Sequence, residues 1–284
     1  MRLTCKMTQI NFAPSIHGDR EPCGTKYPIV LLHGLGYRDD MALLASWGRI
    51  PDYLSQSGAT VFLGGLEAWD SIENNAAALK VNIEKILADT GADKLNIIAH
   101  SKGGLEARHM ISHLGMAAKI ASYTSVCTPH RGTSVADLGM KLVPCEHEFE
   151  FKAVDFFASW MGDNTPNSHI AIKELTRAHM AEFNQNTPDA PGVYYQSFGT
   201  TMTSPLDDPF FMLTYQVIKM HEGDNDGMVS ATSCPWGVFR GLLQGKEAGI
   251  SHLDMVDFRK HDIAGVDIPG FYVSMVADLK ILGY

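Results

Sequence analysis

The stretch Leu95-Asn96-Ile97-Ile98-Ala99-His100-Ser101-Lys102-Gly103-Gly104 decides the fold, because an apolar run passes into a helical pattern through a single serine. A junction of this kind ends a strand, turns sharply and starts a helix, so the serine stands at its tip in a strained backbone conformation. Large side chains two positions from the serine would collide with neighbouring backbone, and Ala99 and Gly103 avoid that collision. The stretch therefore predicts a nucleophile elbow at Ser101.

Apolar runs and helical patterns alternate along most of the remaining chain. The predicted buried strands are 27–32, 60–63, 95–98, 120–127 and 193–198, and the predicted helices are 71–88 and 105–114. Strands that alternate with helices imply right-handed crossovers and a mostly parallel, doubly wound sheet with helices on both faces. A chain of 284 residues that is 45% hydrophobic can bury the core of one large α/β domain, which we expect to span residues 1–284.

One aromatic segment, residues 138–172, interrupts this alternation. Its large apolar side chains stand among acidic residues, between Pro144 and Pro166: Phe149, Phe151, Val154, Phe156, Phe157, Trp160 and Met161. Two interpretations are open. The segment is either an ordinary amphipathic helix packed on the core, or a helical lid whose apolar face covers a cleft and moves aside at a lipid surface.

The charge balance narrows the choice of partners. The formal net charge of −9, without a basic cluster, argues against a nucleic-acid partner and disfavours an anionic substrate. The five cysteines are scattered along the chain without paired metal-ligand spacing. They predict reduced or buried thiols rather than a disulfide framework or a zinc cluster.

No transmembrane segment is expected, because no apolar run reaches the roughly 18 residues that a membrane-spanning helix needs. Residues 1–26 also contain no apolar stretch typical of a signal peptide. The expected location is therefore the cytoplasm, or the cell exterior by export without a recognisable signal peptide.

A serine nucleophile needs a base that takes its proton and an acid that holds the base in the correct tautomer. An elbow predicts the chain order serine, then aspartate or glutamate, then histidine. We assign Asp226 as the orienting acid, because Gly227 permits the tight turn that points it inward. We assign His252 as the general base.

Other histidines compete for the role of base, since the chain contains twelve. His261 is the nearest rival to His252. His109 and His113 stand four residues apart on a predicted helix and could form a metal pair, but they lack the adjacent glutamate that a zinc hydrolase uses. His33 belongs to a glycine-rich loop, in which its ring more naturally shapes the turn.

Two backbone N–H groups are candidates for an oxyanion hole, which stabilises the tetrahedral intermediate of acyl transfer. The N–H of Lys102 follows the nucleophile at a helix N-terminus. The N–H of Leu35 lies in His33-Gly34-Leu35-Gly36, where glycines on both sides let the backbone approach a substrate.

Two further motifs, Thr128-Pro129-His130-Arg131-Gly132-Thr133 and His252-Leu253-Asp254, complete a pattern with the elbow, the glycine-rich loop and Asn225-Asp226-Gly227. Over about residues 27–257 the chain resembles the bacterial true lipases of the Pseudomonas, Burkholderia and Proteus type. The resemblance implies an α/β-hydrolase fold and a triacylglycerol lipase that forms an acyl-enzyme on Ser101. It also implies lipid ester substrates and transient contact with a lipid–water interface.

The same resemblance implies one structural calcium ion (Ca²⁺) that holds the loop carrying the catalytic histidine. Its carboxylate ligands would be Asp208 and Asp254, and its carbonyl ligands Phe258 and Asp262. Oxygen ligands of this kind suit calcium. The chain departs from the family at Asp257-Phe258-Arg259, where an Asn-Gln stretch is usual. The alternative for Asp208 is that it caps a helix beginning at Pro209.

Other functions are compatible with the same residues. The family's disulfide has no evident counterpart, and the chain is shorter than many members. A reduced lid would make the enzyme a short-chain carboxylesterase, but the aromatic segment 138–172 favours a lipase. An acyltransferase or peptidase would use the same triad, since the acceptor is not encoded in it. A non-catalytic binding protein on a hydrolase scaffold predicts a broken triad position.

Overall fold

Six parallel strands form one sheet in the computed structural model, as far as it describes the chain, namely residues 22–36, 47–142, 166–245, 248–263 and 265–284. The strands are β1 Ile29–Leu32, β2 Val61–Leu63, β3 Leu95–His100, β4 Ile120–Val126, β5 Tyr194–Thr200 and β6 Val238–Leu243. Their order across the sheet is β2-β1-β3-β4-β5-β6. The predicted α/β class, the parallel sheet and the first five strands are confirmed.

Strand β6 was not predicted from the sequence. It lies at the edge of the sheet beside β5, and Val238 at its start is half exposed. Its sequence, Val-Phe-Arg-Gly-Leu-Leu, places an arginine and a glycine in the middle of a short run. An edge strand needs less apolar character than a central one, so hydrophobic patterning gives little signal there.

The helices among the described residues begin and end as follows: α1 Ile50–Gln56, α2 Ile72–Thr90, α3 Lys102–His113, α4 Ser134–Leu142, α5 Ser168–Lys173, α6 Arg177–Asn186, α7 Met212–His221 and α8 Ile268–Ile281. Short 3-10 turns cover Pro209–Phe211 and Asp254–Val256. The predicted helices 71–88 and 105–114 correspond to α2 and α3.

Helices cover both faces of the sheet, because alternate side chains of each buried strand point to opposite sides. In β1, Ile29 and Leu31 pack with α1 and α8, whereas Val30 and Leu32 pack with α2 and α3. A continuous apolar strand therefore has a core on each side, as the sequence predicted.

The parallel arrangement brings the carboxyl ends of the central strands to one edge. Leu32 of β1 pairs with Ala99 of β3, and His100 of β3 pairs with Val126 of β4. The segments that follow these strands, including Ser101, are therefore neighbours at that edge, where ligands bind in open α/β sheets.

The segment expected to form a lid lies mostly outside the described residues, which include only its ends at 138–142 and 166–172. None of the helices that the structure describes combines the length and apolarity needed to cross a membrane. Three of the five cysteines lie in the described part, and all three are buried: Cys23, Cys127 and Cys234.

Candidate active site

Ser101 occupies the sharp turn between β3 and α3. Its backbone angles, φ 54° and ψ −131°, lie in a region that side chains rarely adopt, and its N–H donates to Val126 O at 3.0 Å. A Cβ added to Gly103 would lie 2.3 Å from His33 O, so only glycine fits beneath the turn. The strand, the turn and the small residue match the elbow predicted from the sequence.

His252 and Asp226 form a buried pair at the same edge of the sheet. His252 Nδ1 lies 2.7 Å from Asp226 Oδ2, and the backbone N–H of His252 donates to Asp226 O at 2.8 Å. Both side chains are buried. The carboxylate therefore fixes both the position and the orientation of the imidazole.

Asp226 is itself held by its own turn. Its Oδ1 accepts hydrogen bonds from the N–H groups of Met228 and Val229, at 2.9 and 2.7 Å. Gly227 has a φ of 98°, and a Cβ there would lie 2.5 Å from the Cβ of Phe211. The turn thus requires glycine for two reasons, and the predicted function of Gly227 in aiming Asp226 agrees with this geometry.

Two other titratable side chains, those of His100 and Cys127, lie near His252 and Asp226. The ring of His100 lies 4.4 Å from that of His252, and burial, together with repulsion from His252, lowers the pKa of His100 well below its usual value. Burial and the negative charge of Asp226 raise the pKa of Cys127 well above that of a free thiol. Neither His100 nor Cys127 therefore competes with His252 as a charged group.

Ser101 directly follows His100, whose ring lies 4.4 Å from that of His252. Within the described residues, no hydrogen bond joins Ser101 Oγ to His252. Catalytic hydrogen bonds are often long before substrate binds and shorten in the reacting complex. The structure thus forms the predicted contact between His252 and Asp226, and the function of Ser101 with this pair stays a prediction.

The glycine-rich loop after β1 passes directly beside the serine. A Cβ added to Gly34 would lie 2.6 Å from Ser101 Cβ. The His33 ring nitrogens lie 2.9 Å from Gly34 O and 3.1 Å from Leu66 O, so the ring fastens the loop, as predicted. In the part of the chain described, neither Leu35 N–H nor Lys102 N–H donates a backbone hydrogen bond. Both donors predicted for the oxyanion hole are therefore available.

The competing histidines lie elsewhere. His261 is exposed, and its Nδ1 contacts Arg259 O at 3.0 Å. The rings of His109 and His113 are 4.7 Å apart on α3, in a surface cavity of about 320 Å³. Among the described residues, the only cluster of three side chains with metal-ligand geometry is Cys127, Asp226 and His252, which includes the predicted triad pair.

The side chain of Lys102 has an environment that the sequence analysis missed. Its Nζ donates to Asp70 O at 2.7 Å and to Glu106 Oε1 at 2.5 Å, and the Lys102 and Glu106 side chains are only 2% and 3% exposed. Asn75 Nδ2 donates to the same Glu106 oxygen at 2.8 Å. The i,i+4 spacing on a helix was the available signal, but it did not reveal burial.

The residues predicted to bind calcium converge only in part. Asp208 and Asp254 both contact the guanidinium of Arg259. Asp208 also accepts a hydrogen bond from Phe210 N at 3.1 Å and caps the turn at Pro209, which confirms the alternative interpretation of that residue. The exposed side chain of Asp262 pairs with Arg49. Calcium binding stays a prediction. The ion pairs that Arg259 and Arg49 form with these aspartates were not predicted from the sequence.

Comparisons with known proteins agree with this geometry. A family model described as palmitoyl protein thioesterase matches residues 28–187, which include the elbow and the glycine-rich loop. A triacylglycerol lipase of Saccharomyces cerevisiae is 30% identical over 259 residues, which cover 84% of this chain and 74% of the yeast protein. A triacylglycerol lipase of Vibrio cholerae is 30% identical over 236 residues, which cover 75% of each chain.

Solved structures give the same fold. A metagenomic carboxyl esterase superposes with a TM-score of 0.71 at 18% identity, over 90% of this chain and 76% of the esterase. At that identity the likeness supports the fold alone.

Proposed function

Because this chain belongs to the lipase family of α/β-hydrolases and is a carboxylic ester hydrolase, we propose that it cleaves long-chain acylglycerols through an acyl-enzyme on Ser101. His252 takes the proton of Ser101 Oγ as the oxygen attacks the ester carbonyl. The Asp226 carboxylate, 2.7 Å from His252 Nδ1, then stabilises the imidazolium. His252 gives the proton to the departing alcohol, and a water molecule hydrolyses the acyl-enzyme by the same path.

The oxyanion of each tetrahedral intermediate would lie between the N–H groups of Leu35 and Lys102. Donors oriented in advance toward this charge contribute on the order of 3 kcal/mol each to stabilising the transition state. Their position supports this function, because both lie beside Ser101 and neither donates a backbone hydrogen bond within the described residues.

A lipid substrate is supported mainly by an exposed apolar patch near the candidate active site. We call Leu206, Phe210, Leu213 and Met220 the 206–220 patch, and each of these side chains is between 73% and 80% exposed. Phe210 of this patch packs edge-on against Phe211 at 5.0 Å, and Phe211 is buried and packs edge-on against His252 at 6.3 Å. Exposed apolar side chains this concentrated are typical of a surface that meets lipid or another apolar partner.

A thioester is the second candidate substrate, because the matching family model is described as palmitoyl protein thioesterase. The same serine, histidine and oxyanion donors would cleave an acyl thioester, with a thiol in place of the alcohol as leaving group. The two candidates share the acyl-enzyme and differ in the group that leaves.

The test compares three substrates: emulsified triolein, soluble p-nitrophenyl butyrate and a soluble palmitoyl thioester. The proposal expects hydrolysis of triolein, a faster rate above the concentration at which the emulsion forms, and labelling of Ser101 by a fluorophosphonate. Ser101→Ala should abolish the activity and the labelling. Hydrolysis of the thioester alone would favour the second candidate, and no hydrolysis of any of the three would overturn both.

The contribution of the patch is tested with Leu213→Ser. We expect at least a severalfold loss of triolein hydrolysis, with hydrolysis of p-nitrophenyl butyrate unchanged, because only the emulsion presents an interface. The matched control is Val81→Ser on α2, a side chain that is 64% exposed on another helix. Equal losses in the two variants would show that the patch has no special function.

A further inference from the structure

Three charged side chains, those of Arg259, Asp208 and Asp254, form an ion-pair cluster near His252. Arg259 Nη2 lies 2.9 Å from Asp208 Oδ1, and Arg259 Nη1 lies 2.5 Å from Asp254 Oδ1. Both aspartate side chains are fully buried, whereas that of Arg259 is 33% exposed. One guanidinium therefore joins two buried carboxylates that are distant in the sequence.

The two carboxylates belong to the segments that surround His252. Asp208 caps the turn that leads to Phe211, whose ring packs against His252. Asp254 Oδ2 accepts a hydrogen bond from Ser251 N at 2.9 Å, so it holds the backbone just before the histidine. A cation between Asp208 and Asp254 thus links two segments next to His252: the turn that includes Phe211 and the backbone at Ser251.

Calcium does not fit this place while the arginine occupies it. Calcium takes six to eight oxygen ligands, but one oxygen of each carboxylate, Oδ1 of Asp208 and of Asp254, is bound to the guanidinium, and Asp254 Oδ2 accepts from Ser251 N. Of the four carboxylate oxygens, only Asp208 Oδ2 has no hydrogen-bond partner among the described residues. A guanidinium carries a permanent positive charge in proteins, so Arg259 supplies the charge that two buried carboxylates need.

A second arginine holds the far end of the same loop. Arg49 Nε and Nη2 donate to the two oxygens of Asp257, at 2.9 and 2.8 Å, and Nη2 also reaches Asp262 at 3.1 Å. The segment from His252 to Asp262 is thus held by two guanidinium groups.

We propose that Arg259 is the built-in cation of the histidine loop, which positions His252 without a metal ion. This inference rests on the proposed function of His252 as the base. It predicts that the protein does not need calcium, and that removal of the guanidinium leaves a site of two carboxylates that calcium can enter.

The first test uses the wild-type protein. Its melting temperature and its kcat on p-nitrophenyl butyrate are measured with excess EDTA and with 10 mM CaCl2. We expect the melting temperature to differ by less than about 1 °C and kcat to stay the same, because a ligand that does not bind the native state does not stabilise it. A fall of both in EDTA, reversed by CaCl2, would overturn the proposal.

The second test uses Arg259→Ala. We expect a lower melting temperature and at least a tenfold lower kcat with a smaller change in KM, since the base is mispositioned while the acyl-binding surface is unaltered. CaCl2 should restore much of both quantities. MgCl2 should restore less, because magnesium demands a stricter geometry and keeps its water. The double variant Asp208→Asn/Arg259→Ala should lose the rescue.

Arg240→Ala is the matched control, because Arg240 also pairs with one carboxylate, Asp278, at 2.7 Å and is similarly exposed, at 30%. It should show no calcium rescue. Arg259→Lys keeps the charge, so it should retain more activity than the alanine variant even if that variant folds poorly. Unchanged kcat and melting temperature in Arg259→Ala, or no calcium effect on it, would contradict the proposal. If the wild type lacks esterase activity, the proposed function fails, and the melting temperatures still decide whether Arg259 is the cation.

Discussion

Two lysine–carboxylate pairs have the same i,i+4 spacing and the same N–O distance but differ strongly in burial, and they allow a quantitative test. Lys102 pairs with Glu106 at 2.5 Å, and both side chains are almost fully buried. Lys85 pairs with Asp89, also at 2.5 Å, and these side chains are 75% and 58% exposed. Both pairs are i,i+4 on a helix, so a comparison of the two isolates the effect of burial.

The perturbation is Lys102→Met, which keeps an unbranched side chain only one heavy atom shorter and removes its charge. Glu106 would then stay buried with Asn75 as its hydrogen-bond donor, and Asp70 O would lose the Lys102 donor. Removing one partner of a buried pair costs about 3–5 kcal/mol, because an uncompensated charge is left behind. Lys85→Met should cost less than about 1 kcal/mol.

The double variant Lys102→Met/Glu106→Leu separates the charge from the packing. Replacing both ends of a buried pair by apolar groups is often nearly neutral, so this variant should recover most of the stability lost by Lys102→Met. Catalysis should respond differently from stability. Under the proposed function, Lys102 contributes its backbone N–H to the oxyanion, and methionine retains that group.

The assay is urea unfolding followed by far-UV circular dichroism, together with kcat/KM on p-nitrophenyl butyrate at a temperature where every variant is folded. We expect the losses of unfolding free energy stated above for Lys102→Met and Lys85→Met. For Lys102→Met, kcat/KM should change by less than about tenfold, which is 1.4 kcal/mol. A Lys102→Met protein as stable as the wild type would refute the reasoning about burial. A stable variant that has lost more than a hundredfold in kcat/KM would show that the ammonium group acts in catalysis.

Two further predictions concern the site and its pH dependence. Asp226→Asn should lower kcat by on the order of 10³–10⁴, because the imidazole loses its orienting acceptor; a purified variant within tenfold of the wild type would contradict the assignment. Burial raises the pKa of Glu174 from 4.5 to about 7, so the native state keeps a proton that the unfolded chain releases. Stability should therefore fall as the pH rises from about 4.5 to 7, by at most about 3 kcal/mol. Glu174→Gln should flatten this part of the unfolding profile, and an unchanged profile would exclude Glu174 as its source.

The central strands and the elbow could be predicted because their signals are local. Strand β3 is mostly apolar and buried at every position, and a parallel sheet with helices on both faces requires such strands. The turn at Ser101 requires a small residue at position 103, which the sequence also displays. Strand β6 lies at an edge, where the requirement on composition is weaker, and it was missed.

The pairing of Asp226 with His252 was also predictable, since a nucleophile elbow limits where the acid and the base follow. Asp226 and His252 meet at 2.7 Å, although 25 residues stand between them in the sequence. The choice of His252 over His261 depended on the His-Leu-Asp motif rather than on spacing, because both residues follow the acidic turn. The structure separates them by burial: His252 is buried and His261 exposed.

The source of the positive charge beside Asp208 and Asp254 could not be predicted from the sequence. Asp208 and Asp254 are visible in the sequence as two carboxylates near a histidine loop, and their burial requires a positive charge between them. Whether that charge is a metal ion or a side chain depends on where one long, flexible arginine lies, which no periodicity encodes. Arg259 can reach both carboxylates only because the loop folds back over the turn at Pro209. A buried pair of carboxylates therefore predicts that a cation is needed, and only the tertiary structure identifies the cation as Arg259.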